Sequence, residues 1–329
     1  AHRKVRVRLP AGTGCLPEYR LQSNLISLLK EAEGRKSEER NMNPKARGTA
    51  YILISAVAFG LMPLLALKIY GCGGNSLFLS LCRFAFSIPP LYFMARKEKV
   101  AKHPHLEGSF FAIAAVYILT PLLLFVSYSY IASSLASTIH YVYPALVLLI
   151  CQLCLHQKIP AFKYASCLVC LAGVWSLCLS ETSLHPLGFI FAFMSAVTYS
   201  LYVVYLPRSG LQAQFSPASL TLRLNIVGTG VLLVLNAVCD TWAFSMSGEG
   251  WFYTLLISWG TAIGATILFQ AGIRLCGSEN AAMLSTFEPL TSVIVGISVL
   301  GDPMSVQTGI GIFLVLAAVA ALSVYEKGK

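Results

Sequence analysis

The chain has 329 residues, of which 56% are hydrophobic and only 12% are charged, whereas an average soluble domain carries about 25% charged residues. This composition excludes an ordinary soluble fold, and the short connections between apolar segments leave no room for a separate soluble domain. The net charge of +10 does not indicate nucleic-acid binding, because the basic residues stand at segment ends rather than on one continuous face.

The first 41 residues differ from the rest of the chain. They contain nine Lys/Arg and five Glu, and their longest apolar run, residues 25–29, is too short for a signal-peptide core. Met42 stands just before the first long apolar segment. We expect Met42 to be the natural start and residues 1–41 to be a disordered or non-native extension. A basic amphipathic helix on the membrane surface is the alternative.

Ten apolar segments follow, each close to the roughly 20 residues that cross the hydrocarbon core of a bilayer. They cover residues 47–70, 75–95, 107–131, 133–155, 160–179, 186–206, 217–239, 250–275, 279–300 and 303–325. The sequence therefore predicts an all-α membrane protein with ten transmembrane helices.

The distribution of positive charge predicts the orientation, since Lys and Arg collect in cytoplasmic loops. If the N-terminus is inside, the outer connections from Met42 onward contain only Lys68. The inner segments contain twelve basic residues: Lys45, Arg47, Arg96, Lys97, Lys99, Lys102, Lys158, Lys163, Arg208, Arg274, Lys327 and Lys329. We expect a multi-pass protein of the cell (plasma or inner) membrane with both termini in the cytoplasm.

An internal repeat organises the apolar segments, and repeats are sought before other fold signals. The stretch Gly-Thr-Ala-Tyr-Ile-Leu-Ile-Ser-Ala-Val at residues 48–57 recurs as Gly-Phe-Ile-Phe-Ala-Phe-Met-Ser-Ala-Val at residues 188–197, an offset of 140. Residues 133–144 align with residues 278–289 at an offset of 145, ending in Pro144 and Pro289 respectively.

The repeat divides the chain into residues 42–180 and residues 181–329, with five segments in each half. Because five is odd, the sixth segment starts from the opposite side of the membrane to the first, so the halves have inverted topology. This 5+5 inverted repeat is typical of secondary transporters, whose substrate site lies near the midplane between the repeats.

These features resemble the EamA-type carriers of the drug/metabolite transporter superfamily, which have ten helices as a 5+5 inverted repeat. The resemblance covers about residues 47–325. It rests on the Gly-x6-Ser-Ala-Val that opens each half, on the intramembrane Arg83 with Arg223 at an offset of 140, and on Pro144 and Pro289.

One feature departs from the family pattern. Where the fourth and ninth helices end, the family often has a Gly-Glu pair, but this chain has His156-Gln157 and Gly301-Asp302. The resemblance implies export of amino acids or related metabolites through a site formed by the first, third, fourth, sixth, eighth and ninth helices.

Glu288 is the leading candidate for a functional side chain, because it lies near the centre of the ninth segment. The adjacent Pro289 removes a backbone hydrogen bond and leaves carbonyl groups free for a ligand. Two interpretations stay open: contact with a substrate ammonium or uptake of a proton, and a structural carboxyl bonded to a neighbouring helix. Tyr143 occupies the repeat position of Glu288, and His140 stands one helical turn before Pro144.

Arg83 and Arg223 lie inside predicted spans, roughly 10 Å deep. At that depth they can snorkel or clamp neighbouring helices, or attract a substrate carboxylate, and Arg83 is the better functional candidate. Several polar or aromatic side chains could also line the pathway, although packing or membrane-interface positions explain most of them equally well. These are Trp259, Tyr117, Tyr199, Gln270 and Ser285, with Tyr128, Tyr141 and Tyr202 as further aromatic residues that carry a hydroxyl.

No metal site or cofactor is predicted. Cys151 and Cys154, like Cys167 and Cys170, have the spacing of metal ligands, but on apolar helices they are expected to pack as small hydrophobic residues. The sequence has no phosphate-binding loop and no serine-hydrolase or zinc-protease motif.

We therefore expect a secondary transporter, not an enzyme, that exports a small amphipathic metabolite, first of all an amino acid or derivative, by alternating access. Its partners would be the lipid bilayer, a small-molecule substrate and protons as coupling ion, with the carrier acting as a monomer. Efflux of hydrophobic drugs is the alternative within transport. An intramembrane enzyme with His140 and Glu288 as an acid/base pair is the alternative outside it.

Overall fold

The computed structural model describes residues 43–96, 107–177, 185–295 and 306–327. All the regular secondary structure in these ranges is helical. The predicted N-terminal extension and the Gly301-Asp302 pair lie outside the described residues.

The described residues of the first half form eight helices, and several of these are two parts of one longer helical stretch. They are α1 (Pro44–Gly60), α2 (Met62–Gly71), α3 (Ser76–Ala85), α4 (Ile88–Ala95), α5 (Glu107–Ser127), α6 (Ser133–His140), α7 (Tyr143–Leu153) and α8 (Ala161–Leu177).

The second half has a similar order with one unusual element, a π-helical segment in the middle of its third long helix. The helices are α9 (Pro186–Tyr205), α10 (Leu211–Gln214), α11 (Pro217–Cys239), α12 (Gly248–Ile257), the π-helical segment (Ser258–Ala265), α13 (Thr266–Cys276), α14 (Ser278–Leu284), α15 (Phe287–Val295) and α16 (Val306–Lys327).

Within the described residues, six helical stretches are long and apolar enough to cross a membrane. They are Pro44–Gly71, Ser76–Ala95, Gly108–Ser127, Pro186–Tyr205, Pro217–Cys239 and Gly248–Cys276. Shorter apolar helices occur at Tyr143–Leu153, Ala161–Gly173 and Gly309–Ala318. Each of the ten predicted segments contains helix, while the count of ten crossings stays a prediction.

Helices of one half pack against helices of the other. The stretch α1–α2 lies along α12, the π-helical segment and α13, and α9, the first helix of the second half, lies along α5, the third long helix of the first. In the same way α3 packs on α11, α7 on α14, and α8 on α16. The first helix of each half therefore packs on the third long helix of the other, the pattern expected when two copies of one motif share a core.

Two contacts show the relative direction of α1 and α13. The Cys276 thiol lies 3.4 Å from the carbonyl oxygen of Lys45, and the Ser55 hydroxyl donates to the carbonyl of Ala265 at 2.9 Å. The start of α1 therefore lies beside the end of α13, and the two helices are antiparallel.

The outer surface of the bundle is apolar. Exposed large hydrophobic side chains occur on helices throughout the described ranges, including Phe93, Trp175, Val234, Val238 and Phe313. An apolar surface of this extent suits contact with lipid rather than water.

Candidate functional site

Two helices are interrupted at matching positions of the repeat. Helix α6 ends at His140 and α7 begins at Tyr143, with Pro144 in its first turn. Helix α14 ends at Leu284 and α15 begins at Phe287, with Pro289 in its first turn. Because proline lacks an amide hydrogen and crowds the preceding turn, each helix stops and restarts there.

A cavity of about 700 Å³, including the space at its mouth, is lined by residues of both interruptions. The aromatic part of its wall consists of Phe59, Tyr117, Tyr128, Tyr141, Tyr199, Tyr202 and Phe269. The polar part consists of Arg83, Thr120, Ser137, His140, Thr266 and Glu288, and the remainder of Met62, Pro63, Pro121 and Leu124. The cavity therefore combines a large aromatic surface with a few polar groups.

Besides the further aromatic residues Tyr128, Tyr141 and Tyr202, five of the candidate residues named from the sequence line this one cavity: Arg83, Tyr117, His140, Tyr199 and Glu288. They come from five different helices, α3, α5, α6, α9 and α15. Their functional roles stay predictions, but the fold brings them together.

Two further candidates lie directly behind this wall. Tyr143 is fully buried, with its ring centroid 5.4 Å from that of His140 and 4.6 Å from that of Tyr199. Gln270 is also fully buried, and its Nε2 donates to the Tyr202 hydroxyl at 2.9 Å. Both residues support cavity-lining side chains from outside the cavity.

The last two candidates are placed differently. The Ser285 hydroxyl is buried and donates to the carbonyl of Ala281 at 2.9 Å, one turn back along the interrupted stretch. Trp259 is 55% exposed, and its indole Nε1 donates to the carbonyl of Phe86 at 3.1 Å. Trp259 therefore faces outward from the bundle, and its predicted place in the pathway has no support from its position.

Arg83 is held firmly inside the protein. Its side chain is only 3% exposed, and its Nε donates to the Thr261 hydroxyl at 3.1 Å. The guanidinium carbon lies 5.2 Å from the ring centroid of Phe84. Ser258 in turn donates to the Arg83 carbonyl at 2.8 Å. The π-helical segment thus supplies two of the groups that position Arg83, in keeping with the frequent occurrence of π-helices at functional sites.

Arg223, which matches Arg83 in the repeat, has a different environment. Its side chain is exposed, and its guanidinium carbon lies 4.9 Å from the ring centroid of Phe215. Of the two intramembrane arginines, only Arg83 reaches the cavity.

His140 is oriented by α9. Its Nδ1 lies 2.8 Å from the Ser195 hydroxyl oxygen, and that hydroxyl donates to the carbonyl of Ala192 at 2.7 Å. Because the Ser195 proton is used in this way, the Nδ1 of His140 is the donor to Ser195. In the neutral ring this leaves Nε2 as an acceptor.

Glu288 is buried at the start of α15, where α1 approaches closely. A Cβ atom added to Gly60 would lie 2.5 Å from the Glu288 carbonyl oxygen and 2.7 Å from the Cβ of Thr291. Only glycine permits this approach, which fixes the backbone that carries Glu288 against α1.

A polar network lies at the other end of the helices. Lys163 Nζ is 2.8 Å from both Glu279 Oε2 and Asn280 Oδ1. With the Gln157 amide turned so that its nitrogen faces Glu279 Oε1 and its oxygen faces Arg208 Nη2, both distances are 2.8 Å. Among the described residues, Lys163–Glu279 is the ion pair of the protein.

The cavity residues of α9 are Tyr199 and Tyr202, in the second half of the helix, and the network lies beyond the end of that helix. Gly188, at the start of α9, approaches Ile131 and Tyr130, close to the cavity residue Tyr128. Arg208 of the network follows the end of the same helix at Tyr205. The cavity therefore reaches from Tyr128, near the start of α9, to Tyr202, in the last turn of α9, and the network joins helices beyond that end.

Other cavity residues were not identified from the sequence. Phe269 is adjacent to the candidate Gln270, and Thr266 lies one helical turn before it, so Gln270 gives a weak signal for both. Ser195 and Thr261 carry no signal of their own, because their roles depend on His140 and Arg83 of other helices.

Cys151, Cys167 and Cys170 are buried packing residues, and no group of three or more potential metal ligands occurs in the described part of the chain.

Comparison with known proteins agrees with this architecture. One solved structure, titled "Crystal structure of protein", matches with a TM-score of 0.71 at 16% sequence identity, covering 84% of this chain and 98% of that chain. At this identity the match shows the fold alone. A search of curated proteins found no match.

The all-helical bundle with two similar halves and an internal cavity is an architecture that polytopic membrane transporters have. The sequence profile of the EamA-like transporter family matches twice, over residues 46–179 and 186–324. The chain therefore belongs to the EamA-like transporter family, and it is a multi-pass membrane transporter of the drug/metabolite type rather than a member of an enzyme family.

Proposed function

We propose that the protein is a ten-helix, 5+5 inverted-repeat secondary carrier that exports a small amphipathic metabolite, an amino acid or its derivative, by alternating access. The observation that carries the proposal is the pair of helix interruptions before Pro144 and Pro289, which meet at one cavity. Interrupted helices at equivalent positions of two repeats are the usual place of a carrier's binding site.

The proposed mechanism uses the difference between the two ends of the bundle. The cavity extends towards Tyr128 and Ser137, while the Lys163–Glu279 network joins α8 and α14 at the other end. The excess of basic residues in the predicted inner segments supports a cytoplasmic location for the network end. The conformation would then be closed towards the cytoplasm, and transport requires a second state in which the network separates.

The wall of the cavity supports the proposed substrate class. Seven aromatic rings offer an apolar surface, and Arg83, His140 and Glu288 offer polar contacts at separate places. A small molecule with one apolar part and charged or hydrogen-bonding groups fits both the aromatic surface and the polar contacts. Glu288 is the proposed site for a substrate ammonium or for the coupling proton.

Efflux of hydrophobic drugs is the second candidate, and the aromatic wall is the observation that favours it. An intramembrane enzyme with His140 and Glu288 as acid and base is a weaker alternative, and it would change the mass of its substrate, which a carrier does not.

The deciding experiment is uptake by proteoliposomes containing the purified full chain, with a panel of labelled amino acids and one hydrophobic dye. Saturable, stereoselective amino-acid flux that Tyr199→Ala reduces and the exposed Trp175→Ala preserves would support the proposal. Flux of the dye alone would favour drug efflux. Absence of any flux, with protein correctly inserted, would contradict a carrier function for this cavity.

A further inference from the structure

We propose that Arg83 forms a carboxylate-binding subsite in the cavity, so that the transported molecule must carry a carboxylate while its amino group is dispensable. This inference rests on the proposed carrier function and makes its substrate class narrower.

The first argument is the unsatisfied bonding capacity of Arg83. A guanidinium has five N–H donors and stays charged in proteins. One donor, Nε–H, is used by Thr261, whereas Nη1 is buried without a hydrogen-bond partner among the described residues. No Asp or Glu in these residues lies within 4.0 Å of the Arg83 guanidinium. A buried cation without a counter-ion is costly in a membrane protein and is a default indication of function.

The second argument is that Arg83 is positioned rather than free to snorkel. Thr261 holds Nε, and the Phe84 ring lies beside the guanidinium carbon. The side chain is 3% exposed and nevertheless borders the cavity. A donor that is fixed before the ligand arrives loses little conformational entropy on binding, which favours affinity.

The third argument concerns the kind of anion. Arg83 carries one positive charge in a wall that is otherwise mostly aromatic and apolar. A carboxylate brings one negative charge and two oxygens that match the guanidinium geometry. A phosphate dianion would leave a negative charge uncompensated in the same surroundings. The subsite therefore fits a monocarboxylate.

Glu288 does not replace this contact. It lines the same cavity from α15, whereas Arg83 belongs to α3. If Glu288 contacts a substrate ammonium, that contact adds to the Arg83 contact, and a substrate without an ammonium still keeps its carboxylate partner.

The test uses three compounds that share one apolar part: L-leucine, 4-methylpentanoate, which lacks the ammonium, and 3-methylbutylamine, which lacks the carboxylate. Binding to the detergent-purified full chain is measured as the concentration dependence of the rise in Tm. Both carboxylates should bind, and the amine should bind at least about tenfold more weakly, the effect of one charge-assisted contact.

Variants of Arg83 test whether this residue causes the preference for carboxylates over the amine. Arg83→Gln should weaken binding of both carboxylates by about tenfold or more and leave the amine unchanged, while Arg83→Lys should retain part of the preference. The matched control is Arg223→Gln, because Arg223 is exposed and outside the cavity. This control should behave like the wild type. If Arg83→Gln fails to fold, the wild-type comparison of the three compounds still decides.

Three results would overturn the subsite: equal binding of the amine and the acids, a folded Arg83→Gln that keeps the preference, or no binding of any of the three compounds. In the last case, transport of another amino acid or of a dye in proteoliposomes would leave the carrier function standing. Absence of all transport would instead contradict the proposed function itself.

Discussion

The Lys163–Glu279 pair offers a direct test of alternating access. The side chains of the two residues are 9% and 22% exposed, and their charged atoms are 2.8 Å apart. Glu279→Gln keeps the size of the side chain and removes its charge. A hydrogen bond to a charged group contributes about 1.5 to 3 kcal/mol and a neutral one about 0.5 to 1.5, so the substitution should weaken the network by about 1 to 2 kcal/mol.

That energy predicts a population change. If the network exists only in the conformation with the cytoplasmic end closed, its weakening shifts the equilibrium towards the opposite state by the same amount. A shift of 1 to 2 kcal/mol corresponds to an increase of about 5- to 30-fold in the minor state.

Cys151 is a native reporter for this change. It is fully buried on α7, and its carbonyl accepts a hydrogen bond from the backbone amide of Gln157, a member of the network. The experiment uses a background in which the other reactive cysteines are replaced and Cys151 is kept. In this background, Glu279→Gln should raise the rate at which a maleimide added to the cytoplasmic side labels Cys151 by about 5- to 30-fold.

The matched control is Glu249→Gln, which removes an exposed acid whose carboxylate accepts a hydrogen bond from the Tyr253 hydroxyl. It should leave the labelling rate of Cys151 unchanged. The double variant Lys163→Glu with Glu279→Lys, which exchanges the two charges, should bring the labelling rate partly back to the slow rate of the wild type. An unchanged or slower rate in Glu279→Gln would refute the interpretation of the network as a gate. A faster rate accompanied by a large fall in Tm would refute it as well, because the faster labelling would then reflect general unfolding.

Three further predictions test other parts of the structure. Glu288→Gln, which fixes a neutral side chain, should abolish substrate accumulation driven by a pH gradient while preserving counterflow exchange. Reduced affinity in both assays would indicate that Glu288 contacts a substrate ammonium. Wild-type behaviour in both assays would indicate that the carboxyl is structural. Gly60→Ala should lower the unfolding free energy by about 1 to 3 kcal/mol because of its contact with the Glu288 carbonyl, measured as a lower Tm, whereas Gly230→Ala, with no atom within 4 Å of the new Cβ, should not. A cysteine introduced beside Glu181 should react with an impermeant reagent from outside the cell and one beside Lys99 should not, and the reverse pattern would contradict the predicted orientation.

The helical segments could be predicted from the sequence because membrane helices must be long and apolar. The two interruptions could also be anticipated, since Pro144 and Pro289 are a local and visible cause. The division between α5 and α6 occurs near the predicted boundary at residues 131–133, where α5 ends at Ser127 and α6 begins at Ser133.

The arrangement of side chains around the helices was harder to predict. Arg83 and Arg223 occupy equivalent repeat positions, yet one is buried and the other exposed. The difference arises because Arg83 meets Thr261 of the π-helical segment, a contact between residues 178 positions apart. Hydrophobic periodicity in an almost uniformly apolar helix does not reveal which face meets a neighbour.

Trp259 illustrates the same limit. A tryptophan inside an apolar segment was a reasonable candidate for the pathway, but it lies in the π-helical segment, where the number of residues per turn differs from that of an α-helix. The exposure of Trp259 depends on packing between helices that the sequence does not reveal, and its role in the pathway stays a prediction.

The π-helical segment lies in the interval where the two copies of the repeat differ in length. The offset between the halves is 140 residues up to Arg83 and Arg223, and 145 from Ser133 and Ser278 onward. The second copy is therefore longer between Arg223 and Ser278, the interval that contains residues 258–265. A π-turn holds an added residue inside a continuous helix, so α13 still meets α1 at Cys276 and Lys45 although the chain before it has grown. Duplicated halves can in this way diverge in length while the packing of their helix ends is kept.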